Sequence, residues 1–300
     1  MIKTCLLGLG RTGMVVAEHL TKSAEFELAA VVVKPGSDKV KRRLKDITNI
    51  DSPLMVIETG ALVTAVKQHK IQVAIDFTNP KAALKNARIL AEQGVHLVIG
   101  TTGFNKTQFN ELKNIAEQFK VGVVYAPNIS VGVNILMVIV KTLARLLPAY
   151  DVEIAEYHHR HKKDAPSGTA MKLANAIHQV QDVRQPRLVF GRYGATERQP
   201  KEIGIHAIRA GGIIGVHKVL FSSSYDEIEV THRSYSRAVF AEGALKAAKF
   251  IADRSGFFNM EEILVMENQE KTVIGAVTSQ VGKWWSRLLD KTSKRKPASV

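Results

Sequence analysis

The stretch IKTCLLGLGRTGMVVAEHL (Ile2–Leu20) passes from an apolar run to an amphipathic one through Gly8-Leu9-Gly10-Arg11-Thr12-Gly13. G-x-G-x-x-G spacing taken alone is a weak signal. Here a strand pattern precedes it, a helix pattern opens on it, and an alternating α/β pattern follows, which is the context the motif requires. The glycines allow a tight turn, close approach of backbone to a pyrophosphate and close helix–strand packing. Backbone N–H groups at the helix start, with Arg11 and Thr12 among them, then face the phosphates. A glycine turn without a ligand is the competing reading, and it leaves the strand–loop–helix context unexplained.

Working outward, FELAAVVV, QVAIDFT, HLVIGTT and GVVYAPN read as apolar strands, separated by the amphipathic runs GALVTAVKQH, PKAALKNARILAEQG and NKTQFNELKNIAEQF. Apolar strands between helices with short connections predict a parallel sheet covered on both faces. From about Asp151 the pattern becomes polar–apolar alternation, as in DVEIAEYHH, EIGIHAIRAG, IGVHKVLFSS and DEIEVTHRS. That predicts a mostly antiparallel or mixed sheet with one covered face. The fold class is therefore α/β: a Rossmann-type doubly wound parallel sheet, then a second α+β domain. The expected boundaries are 1–128 for dinucleotide binding and 129–238 for substrate binding and oligomerisation. Residues 239–265 form a helix returning to the first domain, and 266–300 a basic, partly disordered extension containing Trp284 and Trp285.

The 300 residues carry a formal charge of +14, with 45% hydrophobic and 23% charged residues, as in an ordinary globular protein with an anionic partner. Cys5 is alone and sits in an apolar run, so a disulfide framework within the chain is excluded and a reducing cytoplasm fits. The N-terminus lacks a secretory pattern. The most apolar stretch, VGVNILMVIVKTLARLLPAY, is interrupted by Asn134, Lys141 and Arg145, so no membrane span is expected.

Where a dinucleotide fold often has an acid at its second strand end, this chain has Val33 and Lys34. A cation there suits a 2′-phosphate, so NADPH is the expected cofactor and NADH the alternative. A solvated loop lysine is the competing reading of Lys34. Later strand ends supply Phe77 and Thr78, then Gly100, Thr101 and Thr102, then Ala126, Pro127, Asn128 and Ile129. These small and hydroxyl residues make a floor for a flat nicotinamide. In AEYHHRHKKDAPSGTA (Ala155–Ala170), six basic or potentially basic residues adjoin a Ser167-Gly168-Thr169 turn that offers N–H groups to an anion. A solvated charge run would not explain the adjoining turn.

From Ile2 to about Leu264 the sequence resembles the 4-hydroxy-tetrahydrodipicolinate (dihydrodipicolinate) reductase family. The resemblance rests on E-x-H-H-x-x-K-x-D-A-P-S-G-T-A at Glu156–Ala170, and on DFTNP, GTTGF, APNISVGVN, EIGIHAIRAGGIIGVHKVLF and THRSYSRAVFAEGALKAA in family order. It implies reduction of a cyclic imine-type dicarboxylate in lysine and diaminopimelate biosynthesis. It assigns His158 as general acid/base and Lys162 as second proton donor, with His159, Lys162, Gly168 and Thr169 holding substrate, alongside the Ser167 turn. It places the cofactor on Gly8, Gly10, Gly13, Gly100–Thr102 and Ala126–Ile129, and implies a homotetramer. The glycine loop is one residue shorter than the family's usual form, and Tyr235 stands where a small residue is usual.

His206, His217 and His232 are read as core or rim, and neither His217 nor Arg209 is given a chemical role. His158, His159 and His161 lack carboxylate or cysteine partners in the pattern, so no metal is expected. Three other readings compete: a same-fold reductase of another cyclic imine or amino acid, a basic nucleic-acid-binding protein, and a silent cofactor-binding regulator. No nucleic-acid motif is present and aromatic content is 6%, so neither nucleic acid nor membrane is the expected partner.

Overall fold

The computed structural model describes residues 1–181 and 187–270, with side chains as far as 267. The expected extension therefore lies mostly outside the described residues, as do Trp284 and Trp285. Its first residues, 266–270, continue a helix, α8 (Met260–Glu270).

Six strands from the first half form one parallel sheet: β1 (Ile2–Leu7), β2 (Phe26–Val33), β3 (Val56–Glu58), β4 (Val73–Asp76), β5 (His96–Ile99) and β6 (Gly122–Tyr125). A seventh, β12 (Gly256–Phe258), returns from far along the chain, giving the order β12-β6-β5-β4-β1-β2-β3. The strands are short and apolar because both faces are covered; Cys5, Leu7, Val32, Ala74, Leu97 and Val123 share one core with residues of the flanking helices. Burial also pushes the Cys5 thiol pKa up, as an inert core thiol requires.

Local chemistry starts the helices where the sequence places them. α1 (Arg11–Lys22) follows the glycine loop, and α2 (Leu62–His69) ends on left-handed Lys70. Asn79 caps α3 (Pro80–Ala91), with Pro80 in the first turn. Asn105 and Gln108 form a reciprocal capping box on α4 (Lys106–Phe119).

The second sheet contains β7 (Asp151–His158), β8 (Arg187–Phe190), β9 (Glu202–Arg209), β10 (Gly215–Ser222) and β11 (Glu227–Ser234), in the order β11-β10-β7-β9-β8. It is mixed: β10 runs antiparallel to β7 and β11, whereas β7, β9 and β8 run parallel. One face is packed by α5 (Val131–Leu146) and α6 (Gly168–Val180); Leu136, Val140, Leu173 and Ile177 meet Ile154, Ile205, Val219 and Phe221. The most apolar run of the sequence forms the sheet-packing helix α5, and no described helix is long and apolar enough to cross a membrane. α7 (Ala238–Ile251) then packs on α1 and beside β4, β5 and β6. Residues 1–260, both sheets included, form one compact unit.

Candidate active site

The glycine loop is tight at Gly8 and Gly13, where the backbone leaves no room for a side chain. Gly8 has φ +94°, and a Cβ there would lie 2.6 Å from the Phe77 carbonyl oxygen; one on Gly13 would lie 1.9 Å from the Gly8 oxygen. This contact locks the first turn of α1 against the end of β1. No side chain caps α1, so its first N–H groups stay available to an anion. Lys39 reaches back across the loop and donates from Nζ to the Leu9 oxygen at 2.8 Å. An uncapped helix start with backbone this close fits the pyrophosphate of a dinucleotide.

The floor beside the loop is organised by one buried carboxylate. Asp76 Oδ1 accepts from Thr78 N (2.9 Å), Thr78 Oγ1 (2.6 Å) and Thr101 Oγ1 (2.9 Å), and Oδ2 accepts from Asn86 Nδ2 (3.1 Å). Burial raises its pKa, while these hydrogen bonds pull the other way. Asp76 thereby ties the ends of β4 and β5 to α3 and holds the Thr78 backbone and the Thr101 hydroxyl.

On the second sheet, Val152, Ile154, Glu156 and His158 alternate onto the helix-covered face of β7. The register sets His217 of β10 beside Glu156, and Arg209 of β9 beside His158. The face that is apolar along its length becomes polar at this end. Glu156 is fully buried, and Arg209 grips it with Nη1 to Oε2 at 2.9 Å and Nη2 to Oε1 at 2.7 Å. Ser167 N donates to Oε1 at 3.0 Å, and His158 Nδ1 lies 2.5 Å from Oε2. Burial alone would raise the Glu156 pKa; the hydrogen bonds from Arg209, His158 and Ser167 outweigh it and hold it below the usual range. For His158, burial lowers the pKa and Glu156 opposes. His217 is buried, its ring edge-on to His158 with centroids 5.3 Å apart and its Nε2 3.2 Å from Ser167 Oγ. Burial, then the neighbouring His158, pushes the His217 pKa down to about 3, so it is neutral at working pH.

Both sets of residues line one cleft of about 760 Å³. From the first sheet come Gly10, Arg11, Thr12 and Gly13; Phe77 and Thr78; Gly100, Thr101 and Thr102; and Pro127, Asn128 and Ile129. From the second come His158, His159, Lys162 and Thr169, with His217 and Arg237. Asn128 Nδ2 donates to Thr169 Oγ1 at 2.9 Å, bridging the two sides. Lys162 Nζ donates to both Asp164 carboxylate oxygens at 2.8 Å, which leaves the ammonium a donor for the cleft.

Other expected site residues sit elsewhere. Ala126 is buried and Gly8 half-buried, neither of them lining the cleft, and Gly168 opens α6. Ser167 is buried as the α6 cap, its Oγ accepting from Ala170 N, and its N–H is taken by Glu156. It serves the helix start, so the turn offers an anion Gly168 and Thr169. Lys34 lines a separate cavity of about 170 Å³ with Val33 and Thr78. His159 and His161 stand 6.3 Å apart by ring centroids, and among the described residues no group of three metal-type ligands gathers.

The sequence reading missed Glu156, Arg209 and His217 as a unit, and Arg237. Alternation puts Glu156 on the covered face between Ile154 and His158, and an inward carboxylate demands a cation. That signal was present in the chain; which cation answers it depends on strand register.

A glycine-loop parallel sheet facing a histidine- and lysine-lined second sheet defines a two-lobed α/β protein of dinucleotide-binding type. The dihydrodipicolinate reductase N-terminal profile matches residues 2–129 and the C-terminal profile residues 132–264. The chain is 38% identical over 268 residues to the 4-hydroxy-tetrahydrodipicolinate reductase of Methanocaldococcus jannaschii, covering 88% of this chain and 97% of that protein. It is 41% identical over 266 residues to that of Methanocorpusculum labreanum, covering 88% and 99%. The dipicolinate-bound dihydrodipicolinate reductase from Paenisporosarcina sp. TG-14 superposes with a TM-score of 0.71 at 28% identity, covering 86% of this chain and 97% of that one. The chain belongs to the dihydrodipicolinate reductase family.

Proposed function

We propose that this protein reduces 4-hydroxy-tetrahydrodipicolinate to tetrahydrodipicolinate with NAD(P)H, in lysine and diaminopimelate biosynthesis in the cytoplasm. The observation that carries the reading is that the glycine loop and the His158/Lys162 pair line the same cleft. Loss of the 4-hydroxyl as water, with release of the C3 proton, leaves a conjugated imine; a bound nicotinamide cofactor would supply hydride to it, and the charge left behind is met by one proton from the protein. His158 delivers it from Nε2, the ring nitrogen turned away from Glu156. Lys162, steadied by Asp164, is the second donor, protonating the hydroxyl as it leaves as water. The N–H groups of Gly168 and Thr169 at the α6 start, with His159, hold one substrate carboxylate. Arg237 is partly buried in the cleft wall, with no acidic partner among the described residues, and suits the other carboxylate. The test is a coupled assay in which the preceding enzyme generates substrate and nicotinamide oxidation is followed with each cofactor. Absence of turnover with both would refute the reading.

On the cofactor side, Gly8, Gly10, Arg11, Thr12 and Gly13 meet the pyrophosphate. Phe77, Thr78, Gly100–Thr102 and Ala126–Ile129 carry the nicotinamide half. NADPH is preferred because no carboxylate at Val33 repels a 2′-phosphate and Lys34 attracts it. A well-made charge-assisted phosphate contact is worth roughly 1.5–3 kcal/mol. Lys34→Ala is therefore expected to raise KM for NADPH more than for NADH, with a difference that shrinks as salt rises, since Lys34 is exposed. Equal effects on the two cofactors would show that Lys34 does not read the phosphate.

Residues 1–128 serve dinucleotide binding and 129–238 substrate binding and assembly, with 239–265 returning to the first lobe. Assembly is as a homotetramer through the second sheet, whose face turned from α5 and α6 presents the exposed Ile208. Sedimentation at micromolar concentration checks the oligomeric state.

A further inference from the structure

We propose that Glu156 is the positioning residue of the reaction: one carboxylate that fixes the ring of His158 and, through Ser167, the start of the substrate-binding helix. The inference rests on the reductase reading and deepens it. His158 has two ring nitrogens with different surroundings. Nδ1 faces the buried Glu156 carboxylate at 2.5 Å, and an ionised carboxylate only accepts. Nδ1 must therefore carry a hydrogen in both protonation states of the ring. Nε2 is left as the nitrogen that exchanges its proton, and it lies on the Gly215 side, where a Cβ would come within 3.2 Å of it. Gly215 lines the cleft. When Nε2 gives its proton to the reduced substrate, the electron pair of the N–H bond stays on the ring. The neutral Nδ1–H tautomer remains, and solvent returns the proton to Nε2.

The charged and titratable groups around the ring are Glu156 on β7, Lys162 in the following loop, Arg209 on β9 and His217 on β10. Three of these cannot orient it. Lys162 and Arg209 are cations, and the His217 ring meets the His158 ring edge-on and bonds Ser167 instead. Arg209 acts on Glu156, keeping it ionised with two hydrogen bonds while its Nη2 also donates to the Asp164 oxygen at 2.6 Å. The second oxygen of Glu156 accepts Ser167 N–H, which sets the residue that caps α6. A change at Glu156 thus reaches both the proton donor and the anion-binding turn, although Glu156 itself is fully buried.

The first test uses the wild-type protein with no ligand. Nitrogen-15 NMR of labelled histidine should show neutral His158 as the Nδ1–H tautomer; an Nε2–H tautomer overturns the proposal. The second test is Glu156→Gln, which keeps the shape but can present an amide N–H to Nδ1. Turnover should fall about 10²–10⁴-fold, the range covered by lost acid–base assistance and a misdirected histidine. A general acid works protonated, and Glu156 favours the protonated ring. The alkaline limb of the kcat/KM profile should therefore move to lower pH in the variant, which a merely structural role would not produce. Cofactor affinity measured by fluorescence should be unchanged. Wild-type rate and profile in Glu156→Gln, alongside an inactive His158→Ala, overturns this proposal and leaves the reductase reading standing. An active His158→Ala removes the proton donor that Glu156 is proposed to position, and so overturns the proposal, whereas absence of wild-type turnover in the coupled assay overturns the reductase reading. If Glu156→Gln does not fold, the wild-type tautomer decides the matter.

Discussion

His158→Ala and Lys162→Ala are each expected to lower turnover by ~10²–10⁴-fold, the usual worth of a positioned proton donor, with cofactor affinity nearly unchanged. The separation follows from the layout. Both residues belong to the second sheet and the loop after it, whereas the glycine loop and the Asp76-ordered floor belong to the first. Isothermal titration with cofactor and steady-state kinetics with substrate read the two quantities independently. His158 should be the more sensitive position, because its ring is held on one side by Glu156 and stacked edge-on against His217. Lys162, by contrast, is paired with the exposed Asp164. Near-wild-type turnover in both variants would remove the proton-donor assignment.

Arg209→Met is expected to destabilise the fold by about 3 kcal/mol at neutral pH, since removing one partner of a buried ion pair strands the other charge. Methionine replaces much of the arginine stem, so the loss measures charge more than packing. The pH dependence follows from the direction of the Glu156 shift. In the wild type the carboxyl is held below its ordinary range, so its contribution is present at neutral pH and is lost as pH falls through that lowered value. Without Arg209 the carboxyl loses the largest of the interactions that lower its pKa, so its folded-state pKa moves up. The variant therefore has less carboxylate stabilisation at neutral pH to lose on acidification than the wild type has. The gap between variant and wild type should narrow as pH falls, as read by urea denaturation at neutral and mildly acid pH. A gap that widens on acidification would mean Arg209 stabilises by some other route.

Much of this was legible in the chain. Gly8-x-Gly10-x-x-Gly13 between a strand and a helix marked the first sheet's entry and its ligand-facing end, and contacts of 2.6 and 1.9 Å require glycine at Gly8 and Gly13. The caps Asn79 and Asn105 start their helices as local chemistry predicts. The strands β3 and β12 escaped notice because each has three residues, too few for a period to show. The grouping of Glu156, Arg209 and His217 was illegible for a different reason. Arg209 and His217 lie 53 and 61 positions beyond Glu156, and only the pairing of β9 and β10 with β7 brings them to it. Pattern gives the face a residue occupies; register gives its neighbour. Lys34 lies apart from the main cleft, lining a smaller cavity with Val33 and Thr78.

The route of the chain through the first sheet bears on how the protein is made. β6 pairs with β5 on one side and with β12 on the other, and β12 is formed by Gly256–Phe258. A nascent chain that has emerged only through the second sheet carries a parallel sheet with an open edge at β6, and α1 without α7 packed on it. Unpaired edges and bare apolar helix faces are the surfaces on which incomplete chains associate. Synthesis therefore exposes the first lobe for the whole time that the second is being built, and a fragment ending at residue 128 is an unfinished sheet. Closing that edge joins residues over 130 positions apart, as in Gly122 with Gly256. Such long-range pairing is slow to nucleate, so completion of the first lobe is the step where folding waits on the ribosome.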